Sequence, residues 1–104
     1  MSFENLLTTE LMGAAGTEVV VSRVTVPAHA SLPRHWHPGE EFAYMLEGSL
    51  TLLQDGKDDE NYKQGEVGVV PFKQVHTIQA GEEGCSILVF RVHEQGEPER
   101  TLVE

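Results

Sequence analysis

From Glu18 to Val26 the chain reads EVVVSRVTV, an alternation of apolar and polar positions closed by Pro27. A period of two places alternate side chains on opposite faces, so this segment predicts a half-buried β-strand. Ser31–His37 is a second short run, ended by the turn dipeptide Pro38-Gly39. Glu41–Glu47 and Ser49–Gln54 flank Gly48, and Asp55-Gly56 is a hairpin signal. Asp58–Lys63 is polar apart from Tyr62 and leads to a turn at Gln64-Gly65. Glu66–Pro71, Val75–Ala80 and Cys85–Val92 complete the predicted strands, with Gly81–Gly84 as a further turn. Turn signals recur about every 8–12 residues and no long helical pattern interrupts them, which predicts a closed antiparallel barrel or sandwich.

The two ends are less regular. Leu6, Leu7, Leu11 and Met12 suit either a short helical turn or an edge strand, ended by Gly13–Gly16. The polar tail from Glu94 reads as either exchanged with a partner or loose. Ile87–Phe90 is apolar on both faces, so both faces should be covered. With so small a core, a second subunit is the expected cover on one side, making a homodimer.

Length fits one domain spanning residues 1–104, with the barrel core at about 18–93. The formal net charge of -10 has no Lys/Arg cluster to offset it, which argues against nucleic acid and anionic membrane surfaces as partners. Met1 to Gly16 has no early Lys or Arg, and no apolar run approaches the roughly 20 residues of a membrane span. Cys85 is the single cysteine, expected as a small buried hydrophobe, and nothing suggests an oxidising compartment. The expectation is a cytoplasmic protein that meets a small-molecule ligand.

The chemistry is concentrated in four residues. His35 and His37 lie at i and i+2, on the same side of an extended strand; Glu41 follows, and His76 comes one short meander later. Imidazole nitrogens with one carboxylate oxygen suit a divalent transition metal, Fe, Mn, Ni, Cu or Zn. Structural zinc sites usually recruit cysteine, and Cys85 lies away from the cluster, so an open site is expected. Three neutral imidazoles and one carboxylate leave a divalent ion with a net charge of about +1, attractive to an anionic oxygen ligand. No nucleophile triad, P-loop or dinucleotide-binding glycine motif is legible.

The segment RHWHPGEEFAYMLEG from Arg34 and the segment GEVGVVPFKQVHTIQA from Gly65 resemble the two motifs of the cupin superfamily. The first motif falls on His35, His37, Glu41 and Gly48 with every spacing kept, although its opening glycine is His29 here. The second falls on Gly65, Pro71 and His76, with Lys73 in place of a glycine and Ala80 in place of an asparagine. Lys73 strains the turn before His76 if that turn needs a positive φ. The resemblance implies a jelly-roll barrel of the double-stranded β-helix type, with His35, His37, Glu41 and His76 as metal ligands. Its spacing favours Glu41 over Glu40 as the acidic ligand, leaving Glu40 or a metal-bound water as the candidate for moving protons.

Around this cluster, Trp36 is expected to face away from the metal, and His29 and His93 to lie at the surface or in turns. Met45, Phe72 and Ile78 are candidates for the pocket wall. The resemblance implies an enzyme of dioxygenase, isomerase or lyase type acting on a small anionic or enolisable molecule. The alternative is a non-catalytic cupin that binds or senses a small ligand.

Overall fold

The computed structural model describes residues 1–103 and contains eight antiparallel β-strands in one curled sheet. They are β1 (Ser2–Glu10), β2 (Thr17–Val26), β3 (His35–Trp36), β4 (Glu40–Gln54), β5 (Glu60–Lys63), β6 (Val67–Val70), β7 (His76–Glu94) and β8 (Thr101–Leu102). Among these residues no helix is long and apolar enough to cross a membrane. The expected all-β jelly-roll architecture is present.

Two long strands organise it. The first half of β4 pairs with the end of β7, from Glu40↔Val92 to Met45↔Ile87; the second half pairs with the start of β7, from Leu50↔Ala80 to Gln54↔His76. Between the halves the register slips at Met45/Glu47 and again at Gly48/Leu50. Bulges of this kind bend a strand and let it pass from one wall of a barrel to the other. The bend needs glycine on both strands. Gly48 has φ +75°, and a Cβ there would lie 2.0 Å from the carbonyl oxygen of Gly84. Gly84, also at φ +75°, would drive a Cβ to 2.7 Å from the carbonyl oxygen of Val26.

This corner corrects the sequence reading. Gly81–Gly84 is not a turn between two strands but lies within the continuous β7, and Gly48 lies within the continuous β4. Glycines at a corner and glycines at a reversal look alike in sequence, since both mark close backbone approach or positive φ.

The alternation in β2 does what the pattern requires. Val20, Ser22, Val24 and Val26 are buried, while Arg23 and Thr25 face out. The side chains of Val24 and Val26 meet Ile87 and Val89 of β7 and Met45, Leu50, Leu52, Val70, Ile78, Ala80 and Cys85 in one apolar core. Burying each of the larger aliphatic side chains contributes about 1.5–3 kcal/mol. Cys85 is buried as expected.

At the ends, β1 is an edge strand that pairs only with β2 and is exposed along its whole length. The tail folds back onto its own chain: β8 pairs with β3, His35↔Leu102 and Trp36↔Thr101. Only the inner face of Ile87–Phe90 is sealed, since Phe90 is exposed on the outer face.

Candidate metal centre

The ladder brings the histidines together. His35 sits on β3 directly opposite His76 of β7, and His37 follows one residue beyond β3. All three are buried, with ring centroids 4.8 Å (His35–His37), 4.4 Å (His35–His76) and 5.1 Å (His37–His76) apart. One ring nitrogen from each lies within 4.8 Å of the others, an arrangement able to hold a metal ion.

The orientation of the rings is fixed from behind. Nδ1 of His35 lies 2.6 Å from the Pro33 carbonyl, Nδ1 of His37 2.7 Å from the Glu99 carbonyl, and Nδ1 of His76 2.9 Å from the Gln74 carbonyl. A carbonyl oxygen only accepts, so each Nδ1 carries the hydrogen and donates. In the neutral rings the Nε2 lone pairs then face the common centre, the tautomer that a metal ligand needs. Nε2 of His37 and Nε2 of His76 are buried without a hydrogen-bond partner. Burial holds His35 down to about 4 and lowers His76 as well, so both rings are neutral at neutral pH.

Glu41 enters from β4, on the inward side of the strand. Its Oε2 lies 2.6 Å from His37 Nε2 and its Oε1 3.8 Å from His76 Nε2. With Nδ1 of His37 already donating, an unprotonated Nε2 and a carboxylate oxygen at 2.6 Å are two acceptors in contact. They repel unless a cation, a proton on His37 or a metal ion, lies between them. Burial alone would raise the Glu41 carboxyl. Contact with His37, the Arg91 guanidinium and the nearby His76 ring overrule it and hold the group at about 2. The donor set fits a divalent transition metal: three oriented imidazoles and an ionised carboxylate.

Sequence reasoning missed two participants. Arg91, on the inward face of β7, donates from Nε to Glu41 Oε2 at 3.1 Å and is only 8% exposed. The signal was available: Ile87, Val89 and Arg91 share one strand parity, so a cation follows two core positions. The Glu99 carbonyl, which orients His37, carried no signal, because any residue supplies a carbonyl. His93 was expected at the surface but is buried, 3.1 Å from Glu18 Oε1 through Nε2, because it continues the same inward row.

Glu40 is not brought into the cluster; it is exposed and, one residue from Glu41, faces the other side of β4. His29 is exposed, as expected. Trp36 lies outside the cluster in a surface groove with Phe72 and Lys73. Phe72 is thus not a pocket-wall residue, since it is 56% exposed. Met45 and Ile78 do line the interior, in a cavity of about 40 Å³ bounded also by Glu41, Leu52 and Tyr62. A second cavity of about 20 Å³ lies against His35, His76, Glu41, Arg91 and Arg100.

The comparisons agree with this geometry. The cupin domain profile matches residues 22–91. An uncharacterised protein of Methanocaldococcus jannaschii is 26% identical over 61 residues, 59% of this chain and 53% of its own length. The chain therefore spans about half the length of that curated relative. Among solved structures, an RmlC-like cupin from M. jannaschii with a double-stranded β-helix superimposes with a TM-score of 0.73 at 21% identity, over 89% of this chain and 80% of that one. Oxalate decarboxylase of Bacillus subtilis gives 0.70 at 26% identity, over 85% and 24%. The DMSP lyase DddQ of Ruegeria pomeroyi gives 0.69 at 22%, over 86% and 44%. With a domain profile matched across most of its length and this barrel around its histidines, the chain belongs to the cupin family.

Proposed function

We propose that the protein is a metal-dependent cupin in which His35, His37, His76 and Glu41 hold one divalent transition metal ion, and that it acts on a small anionic or enolisable molecule. One observation carries the reading: three buried imidazoles whose Nδ1 atoms are tied to carbonyls present their Nε2 atoms to one centre. When bound, such an ion supplies Lewis acidity toward a carboxylate or enolate oxygen and, if it is iron or copper, redox access to dioxygen. The chain's own contribution is orientation and exclusion of water. The carbonyls of Pro33, Gln74 and Glu99 lock the rings, and Ile78, Ile87 and Val89 wall the centre from solvent.

A dioxygenase, isomerase or lyase chemistry is the enzymatic form of this reading. A non-catalytic binding role is favoured by a different fact: beyond the candidate ligands, only Tyr62, Arg91 and Arg100 contribute ionisable side chains to the two cavities. Metal analysis of natively isolated protein, followed by titration of the stripped protein with each ion, tests the site. The expected result is one ion per chain, with His35→Ala, His37→Ala and His76→Ala each weakening uptake at least 10-fold; uptake unchanged in all three sinks the reading. Incubation of the loaded protein with diketones, catechols and flavonols then separates consumption from mere binding.

The same reading includes a homodimer. Val69, Phe42, Phe90, Val21 and Leu7 form one directly paired row across five strands on the outer face. Four of the five are exposed, Phe42 at 39% and Leu7 at 52%, and a second copy presents the same row in return. Sedimentation at micromolar concentration is expected to give a dimer, and Phe42→Asp a monomer.

A further inference from the structure

Arg91 is the only buried Lys or Arg among the described residues. A buried cation costs several kcal/mol unless it is paired, and its partner here is Glu41, which is also the candidate acidic ligand of the metal. One carboxylate thus serves two cations. With neutral imidazoles, an ionised Glu41, Arg91 and a divalent ion leave about two positive charges uncompensated inside the barrel. The hydrogen bond that Arg91 makes to Glu41 uses Nε alone, leaving the two terminal amino groups of its fork for another acceptor. Arg91 lines the same small cavity as His35 and His76. Glu41, Ile78 and Ile87 bound both this cavity and the apolar one beyond, whose walls include Met45, Leu50 and Leu52.

Resting on the metal reading above, we propose that Arg91 is the specificity-determining residue of the site: its terminal amino groups take the carboxylate of a short-chain ligand. The ligand's second polar oxygen lies toward the histidines, and its short apolar end toward Met45 and Leu52. The guanidinium fork can donate two parallel hydrogen bonds to the two oxygens of a carboxylate. The cavities, about 20 and 40 Å³, admit only a ligand of a few heavy atoms without rearrangement.

The test uses the whole protein loaded with zinc, with acetate, glycolate and pyruvate as probes and acetamide and glycolamide as their neutral counterparts. Dissociation constants are measured by calorimetry for the wild type, Arg91→Lys and Arg91→Gln, and zinc affinity is titrated separately for each. The wild type is expected to prefer each acid to its amide. Arg91→Gln should lose about 10- to 100-fold in acid affinity, while its amide affinity stays within about threefold. Arg91→Lys, which keeps the charge and serves where Arg91→Gln does not fold, should fall between them, because the fork is lost. A purely structural ion pair would weaken acid and amide together or neither.

Zinc-loaded wild type that binds no acid, or binds acid and amide alike, overturns the assignment of Arg91 alone. So does Arg91→Gln or Arg91→Lys with the acid preference intact. Wild type that takes up no zinc or other divalent ion overturns the metal reading and this inference together.

Discussion

Four backbone positions in this barrel hold φ near +60° to +75° at places that matter to the architecture, and they fall into two unlike pairs. Gly48 and Gly84 sit back to back at the corner where β4 and β7 change walls. His29 and Lys73, at φ 62° and 59°, sit in the loops that lead into β3 and β7, where the family motifs carry glycine. At the corner a side chain has nowhere to go, since the nearest backbone atom would be 2.0 Å from a Cβ on Gly48. In the loops the side chains are exposed and only the dihedral is unfavourable. The lesson is that a motif glycine has two separable causes, close approach and handedness. Only the first is absolute; the second costs an L-residue about 1–2 kcal/mol.

The sharpest way to break this comparison is Gly48→Ala. It adds left-handed strain to a contact that forces β4 away from β7 across the longest ladder in the molecule. We expect a loss of at least about 3 kcal/mol, enough to remove the cooperative transition in thermal or urea unfolding. A loss of under about 1 kcal/mol would show that the corner relaxes freely and that the distinction is not one of packing.

The same distinction explains what the sequence revealed. Strand pattern, barrel class and the convergence of His35, His37 and His76 were legible, because period-two alternation and ligand spacing both act through local geometry. Gly81–Gly84 misled for the reason just given: a corner and a reversal require the same residue. The Glu99 carbonyl behind His37 was invisible, since it belongs to the backbone of a tail 62 residues away. Arg91 and His93 were legible in principle from the inward parity of β7. They were passed over because charged residues are usually read as facing solvent.

The loop pair yields smaller effects of opposite sign, which separate strain from side-chain contacts. His29 takes part through its backbone: its N–H donates to the Gly81 carbonyl, and its own carbonyl accepts from Gln79 Nε2. Both bonds survive in His29→Gly. Relief of about 1–2 kcal/mol, less the 0.5–1 kcal/mol that glycine adds to the freedom of the unfolded chain, leaves a net gain of about 0.5–1 kcal/mol. For a chain of this size that raises the melting midpoint by a few degrees. Lys73→Gly relieves the same strain but also removes the Lys73 ammonium from above the rings of Phe72 (5.1 Å) and Trp36 (6.0 Å). Such contacts are worth about 0.5–1 kcal/mol at an exposed site, so the gain should be cancelled to within about 0.5 kcal/mol. The Lys73 N–H that donates to the His37 carbonyl at 3.2 Å belongs to the backbone and is retained. Zinc affinity of Lys73→Gly should therefore stay within about twofold of wild type, measured by competition with a chromophoric chelator. A larger loss would mean that the Lys73 side chain, and not the turn it sits in, holds His37 in place.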